Sequence, residues 1–164
     1  MPTTTLQRLT ADDWRVYRDI RRAALTQAPT MFGSSLERED AFGETEWRTR
    51  ATGSTVALLD DAPVGVVGWH WTDRPVVAEL VAMWVAPAGR GRGVGVALVR
   101  DIVDQVVVAH GATLELVVLV DIVVASDLYR REGFVEVGEE AGIRSGDLLR
   151  RMRYAPDGAQ EAST

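Results

Sequence analysis

Between Val76 and Val120 the chain reads strand, loop, helix, strand, and no other stretch restricts the fold as much. Val76 to Val85 is a β-branched and aliphatic run, and Pro87 to Gly93 is a loop of Gly and Arg. From Val94 to His110 the apolar residues recur at helical spacing, with Leu98, Val99, Ile102, Val103 and Val106 on one face and Arg100, Asp101, Asp104 and Gln105 on the other. Gly111 is a helix stop. Thr113 to Val120 is then a second aliphatic run with the character of a central, buried strand. Two strands joined through a helix are parallel neighbours, and the crossover between them is right-handed.

The remaining segments surround this unit. Leu6 to Leu9 reads as an opening strand, and Thr10-Ala11-Asp12-Asp13 as a capping box ahead of a helix that carries Trp14, Tyr17, Ile20 and Ala24 on one face and ends before Pro29. Met31 to Gly53 is polar, with Glu37, Glu39, Asp40, Glu44 and Glu46, and predicts one or two short covering helices around Trp47. Val56 to Leu59, Val64 to Trp71 and Val76 to Val85 alternate with turns at Asp60-Asp61-Ala62-Pro63 and Thr72-Asp73-Arg74-Pro75, an antiparallel meander. A shorter helix from about Val123 to Glu132, another strand that begins with Phe134 to Val137, and a last strand from Asp147 to Tyr154 complete the pattern. The expectation is one α/β (α+β mixed) domain over residues 1–155, with a mixed, mostly antiparallel sheet of six to seven strands and flanking helices. Residues 156–164 lack apolar anchors and are expected to be a disordered tail.

Composition removes whole classes of chemistry. With no Cys there are no disulfides, thiol nucleophiles or thiolate metal sites. All 18 cationic side chains are Arg, so Schiff-base chemistry and the Gly-Lys-Ser/Thr phosphate loop are excluded. His70 and His110 lack partners at metal-ligand spacing, and no metal is expected. A net charge of −6 argues against nucleic-acid binding, and no apolar run reaches the roughly 20 residues of a membrane span. The opening Met1-Pro2-Thr3-Thr4-Thr5 has neither the basic start nor the apolar core of a signal peptide, which gives the expectation of a cytosolic protein.

Arg90-Gly91-Arg92-Gly93-Val94-Gly95 lies where a strand ends and an amphipathic helix begins, so free backbone amides and the positive end of the helix dipole favour an anion there. Two Arg side chains add charge suited to a polyphosphate. The dinucleotide spacing Gly-x-Gly-x-x-Gly fails, because the sixth position counted from Gly91 is Val96 and from Gly93 it is Leu98. The spacing present is Arg90-x-x-Gly93-x-Gly95, directly after Met83-Trp84-Val85-Ala86-Pro87 and followed later by Leu128-Tyr129-x-x-x-Gly133-Phe134.

In this order of motifs the chain resembles the GNAT superfamily of acyl-CoA-dependent N-acyltransferases, most densely from Glu79 to Phe134. The resemblance implies a parallel strand pair splayed around the CoA site, with acetyl-CoA as acyl donor and an amine, small molecule or protein N-terminus, as acceptor. It implies pyrophosphate on the amides of Arg90, Gly91, Arg92, Gly93, Val94 and Gly95, and pantetheine beside the main chain of Trp84 and Val85. By the same likeness the Val85 N–H polarises the thioester carbonyl, Tyr129 faces the sulfur and protonates the leaving thiolate, and Glu79 takes the amine's proton directly or through water. Met31-Phe32-Gly33-Ser34-Ser35-Leu36-Glu37 resembles a run that many bacterial members carry near the acceptor; Glu37, Glu39 and Glu46 are candidates for holding a cationic acceptor, and Trp69, Trp71 and Trp84 for lining its pocket. One departure is Ile122, where the family often has Asn; a polar contact to CoA lost there passes to Asp121 or the main chain. The alternative is a non-catalytic acyl-CoA-binding or sensing module. Pairing into a homodimer is compatible with the resemblance.

Overall fold

The computed structural model describes residues 3–157, and the tail expected beyond Pro156 lies almost wholly outside the described residues. The elements in chain order are β1 (Thr4–Arg8), α1 (Trp14–Gln27), α2 (Leu36–Asp40), α3 (Glu44–Ala51), β2 (Ser54–Leu59), β3 (Ala62–Trp71), β4 (Val77–Val85), α4 (Val94–Val103), β5 (Thr113–Leu119), α5 (Val123–Arg131), β6 (Phe134–Ala141) and β7 (Leu148–Tyr154). The capping box forms: the Thr10 backbone N–H donates to Asp13 Oδ2 at 2.8 Å, and a single 3-10 turn leads into α1.

Seven strands form one sheet in the order β1-β2-β3-β4-β5-β7-β6, antiparallel except for β4 and β5. The expected meander and crossover are both present. The last strand is not added at the edge: β7 inserts between β5 and β6, which leaves β6 as the edge, longer than its apolar start suggested.

Two apolar layers cover the sheet. On one face α4 lays down Val94, Leu98, Val99 and Ile102, all buried, against Val67, Leu80, Leu114 and Leu116, and α5 adds Tyr129. Each such fully buried side chain contributes about 1.5–3 kcal/mol. On the other face α1 and α3 bring Tyr17, Ile20, Ala24 and Trp47 onto Val56, Val66 and Trp84. Asp101 and Gln105, expected to face solvent, instead meet the strand ends. Asp101 accepts from Arg8 and Thr55, and Gln105, in a π turn that extends α4 over Asp104–Val108, accepts from the Trp69 indole at 3.1 Å. Among the described residues no helix is long and apolar enough to cross a membrane.

Candidate active site

β4 and β5 are paired over only three rungs, Val77 with Thr113, Ala78 with Leu114 and Glu79 with Glu115, and then they part. The cause lies on β4. Where β3 advances from Val66 to Gly68, β4 advances from Val81 to Trp84, and within this extra residue Ala82 has φ +58°. Such a bulge bends its strand and raises the local twist, so β4 follows β3 while β5 continues alongside β7 as far as Leu119 and Leu149.

The closed end of the gap is pinned by charge. Glu115 is fully buried and accepts hydrogen bonds from Arg74, from Arg151 at 3.2 Å and from Arg153 at 2.9 Å. Burial pushes its carboxyl up, but the hydrogen bonds and charges of Arg74 and Arg153 outweigh it and hold the group below the usual carboxylate range.

The gap holds a cavity of about 970 Å³ whose walls are Leu80 to Val85 of β4, Leu116 to Leu119 of β5, Leu128 and Tyr129 of α5, the loop from Thr30 to Ser35, and the hairpin between β6 and β7. Because α5 packs on the α4 face and Phe32 of the loop on the α1 face, the cavity runs through the sheet from one layer to the other. A donor and an acceptor can therefore meet in it from opposite sides.

Val85 and Tyr129 line this space, and the start of α4 follows directly after its Arg90. The Ala86 N–H donates to Val64 O at 2.8 Å, on the β3 side. Successive amides along a strand alternate in direction, so the Val85 N–H faces the gap. Tyr129 is buried, lines the cavity, and sets its ring edge-on to Phe134 at 5.7 Å; burial raises its hydroxyl above the usual phenol range and keeps the proton on. At the start of α4 the first intrahelical bond runs from the Ala97 N–H to Gly93 O, which leaves the amides of Val94, Gly95 and Val96 without partners in the helix. Gly91 (φ +73°) and Gly93 (φ +75°) adopt the left-handed conformation, and nothing lies within 4 Å of the space where a Cβ would stand on either. The backbone is thus bare where an anion would approach. These residues fit the pyrophosphate of CoA.

The other expected residues have different surroundings in the structure. Gly95 is a packing position: a Cβ there would lie 3.3 Å from Leu128 Cδ2, so its absence lets α4 close on α5. The Val94 side chain is in the core. Trp84 is buried, with its indole donating to Gln27 at 2.9 Å, so its ring is held within the α1 layer. Arg90 turns back to Val85 O at 3.2 Å and to Gln27, whereas Arg92 makes no ion pair among the described residues. Glu79 is half-buried at the last shared rung, next to Leu80 but outside the cavity lining.

On the acceptor side the differences are larger. Glu39 is fully buried and binds Arg21 through both oxygens at 2.9 Å, and Glu46 pairs with Arg50, which leaves Glu37 exposed. Trp69 and Trp71 pack edge-on against each other, and His110 stacks edge-on to Trp71 and tilted to Trp69, away from the cavity. Sequence reasoning missed Asp147, the single carboxylate among the cavity's lining residues, as well as Arg38 and Arg144, because none of them lies in a motif. Arg144 straps the hairpin to the loop after α1 by donating to Pro29 O and Thr30 O, both at 2.8 Å.

The model of the acetyltransferase (GNAT) family matches residues 14–134. N-alpha-acetyltransferase RimI of Mycobacterium tuberculosis is 31% identical, over 83% of this chain and 85% of that protein. An acetyltransferase of the GNAT family from Streptococcus pneumoniae superposes with a TM-score of 0.75 at 18% identity, covering 92% of this chain and 98% of that one. YncA from Salmonella typhimurium, solved with its cofactor acetyl-CoA, gives 0.73 at 15% identity, covering 94% and 95%. At such identities the structural likeness speaks for the fold.

Proposed function

The chain belongs to the GNAT acetyltransferase family, an acyltransferase using acetyl-CoA, and from that premise we propose that it acetylates a primary α-amine by direct attack within a ternary complex. The observation that carries this reading is the cavity through the sheet, which reaches Val85 and Arg90 just before α4 on one side and the loop after α1 on the other. The relative named as an N-alpha-acetyltransferase supports the choice of an α-amine, on a protein N-terminus or a small molecule. Location in the cytoplasm and assembly as a homodimer are compatible with this reading and carry none of it.

The amides of Val94 to Val96, with Arg92, hold the pyrophosphate, and the main chain of Trp84 and Val85 holds the pantetheine arm. As the amine nitrogen bonds to the acyl carbon, the bond from that carbon to sulfur breaks and the Val85 N–H donates to the carbonyl oxygen as charge builds there. Tyr129 gives its proton to the departing sulfur and regains one from solvent. An apolar wall raises the proton affinity of a thiolate just as it raises that of the phenol, which makes the transfer feasible. The proton lost by the amine leaves through water to Asp147 on the lining or to Glu79 at the closed end of the gap. No covalent enzyme intermediate is required, in keeping with a chain that has neither Cys nor Lys.

The test is thermal melting with acetyl-CoA, CoA, ATP and NAD in parallel, followed by thiol release from acetyl-CoA over a panel of amines. A ligand at a hundred times its Kd stabilises by about 2.7 kcal/mol. A rise confined to the CoA species together with amine-dependent thiol release is expected. A CoA rise without release from any amine supports the binding-module alternative, and no CoA rise overturns the donor site.

A further inference from the structure

The acceptor end of the cavity has an unmatched charge. The lining of the cavity as a whole includes three arginines, Arg38, Arg90 and Arg144, against one acidic residue, Asp147, in a chain whose net charge is −6. Two of the three are occupied: Arg144 by the carbonyls of Pro29 and Thr30, and Arg90 by Val85 O and Gln27. Arg38 has no side-chain partner among the described residues. The acidic residues that follow it in α2 cannot serve, because Glu39 is bound to Arg21 and Asp40 to Arg22, while Glu37 is not part of the lining. Its backbone is fixed, with the Arg38 N–H donating to Ser35 Oγ at 3.1 Å as the helix cap. The surrounding wall is apolar, formed by Met31, Phe32, Ile143 and Leu149.

We propose that Arg38 reads the acceptor: the amine taken by this cavity stands on a carbon bearing a large apolar group and has a carboxylate a few bonds away, which Arg38 binds. This rests on the function proposed above and names its substrate class. A guanidinium beside an apolar wall is best satisfied by a carboxylate, which it meets through two parallel hydrogen bonds. The phosphates of CoA are not that anion, because they belong at the start of α4 on the opposite face of the sheet from the α1 layer that α2 joins. Two sources present this chemistry: a free apolar amino acid, and a peptide with an apolar first residue followed by an acidic one.

The experiment measures thiol release from acetyl-CoA with leucine, methionine and phenylalanine, with their amides, and with peptides starting in the same residues followed by Glu or Gln. KM lower by about tenfold or more for the carboxylate-bearing member of each pair is expected, the size of one charge-assisted contact. Arg38→Gln should bring the two members level, and Arg38→Lys should restore part of the gap. The free acids or the Glu peptides, whichever turn over, identify the source. Equal KM within pairs, an unchanged gap in Arg38→Gln, or turnover only of polycationic amines overturns the proposal. Acetyl-CoA melting shifts, read on the same samples, keep this failure distinct from failure of the donor site.

Discussion

Tyr129 would release a proton from a setting that makes phenols weaker acids, so its contribution rests on position against a poor leaving group rather than on an easily lost proton. Tyr129→Phe keeps the packing on Phe134 and removes only the hydroxyl. The expected outcome is a kcat lower by about a hundredfold or more with the acetyl-CoA melting shift retained, since general acid catalysis is typically worth 10²–10⁴. Turnover unchanged in that variant makes Tyr129 a core residue. Gly93 is tested by contrast through binding. Gly93→Val forces a β-branched residue to φ +75° and puts methyl groups where the anion would approach, so the acetyl-CoA shift should vanish and the unliganded melting point should fall. Gly93→Ala should weaken binding by less, which separates lost access from lost folding.

At the scale of the element, the gap between β4 and β5 depends on one bulge. Ala82 in the left-handed region is strained by about 1–2 kcal/mol. Ala82→Gly should therefore raise the melting point slightly and keep activity, whereas Ala82→Val should destabilise by about 1–3 kcal/mol and lower kcat as β4 is pulled toward regular pairing. Thermal melts and single-turnover rates on the two variants check this. Nothing in the sequence marks Ala82, because alanine has no turn chemistry and its neighbours read as plain strand. The strands and helices were legible because their apolar spacing follows from the sheet and helix periods, as with Leu98 to Val106 on α4. The insertion of β7 beside β5 was not, since strand order depends on long-range pairing of arginine-rich Leu148–Tyr154 with buried Glu115. The turn from Arg90 to Gly95 that starts α4 was legible as a local motif. The acceptor end was not, because Arg38, Arg144 and Asp147 meet only once α2 and the hairpin have folded across the gap.

For the molecule as a whole, two buried carboxylates tie stability to pH. Burial raises Glu39 and Glu115, but the hydrogen bonds and charge of Arg21 with the charge of Arg50 in one case, and the hydrogen bonds and charges of Arg74 and Arg153 in the other, leave both below their unfolded value of 4.5. The unfolded chain thus takes up protons at higher pH than the folded one. The stabilisation these groups give is fully present above about 4.5 and is lost as pH falls through the lower folded values. Melting points should fall steeply with acid below about 4.5, and Glu115→Gln should start lower at neutral pH yet show a shallower acid slope. All the cations in these clamps are guanidinium groups, as is the Arg144 strap over the cavity. A protein that stores an activated thioester exposes every ε-amine it owns to stray acylation, which would erase the charge and dissolve the ion pair. Here no ε-amine exists, so the scaffold around the cavity is chemically inert to the reagent it handles, and the charges that hold it together do not wear away with turnover.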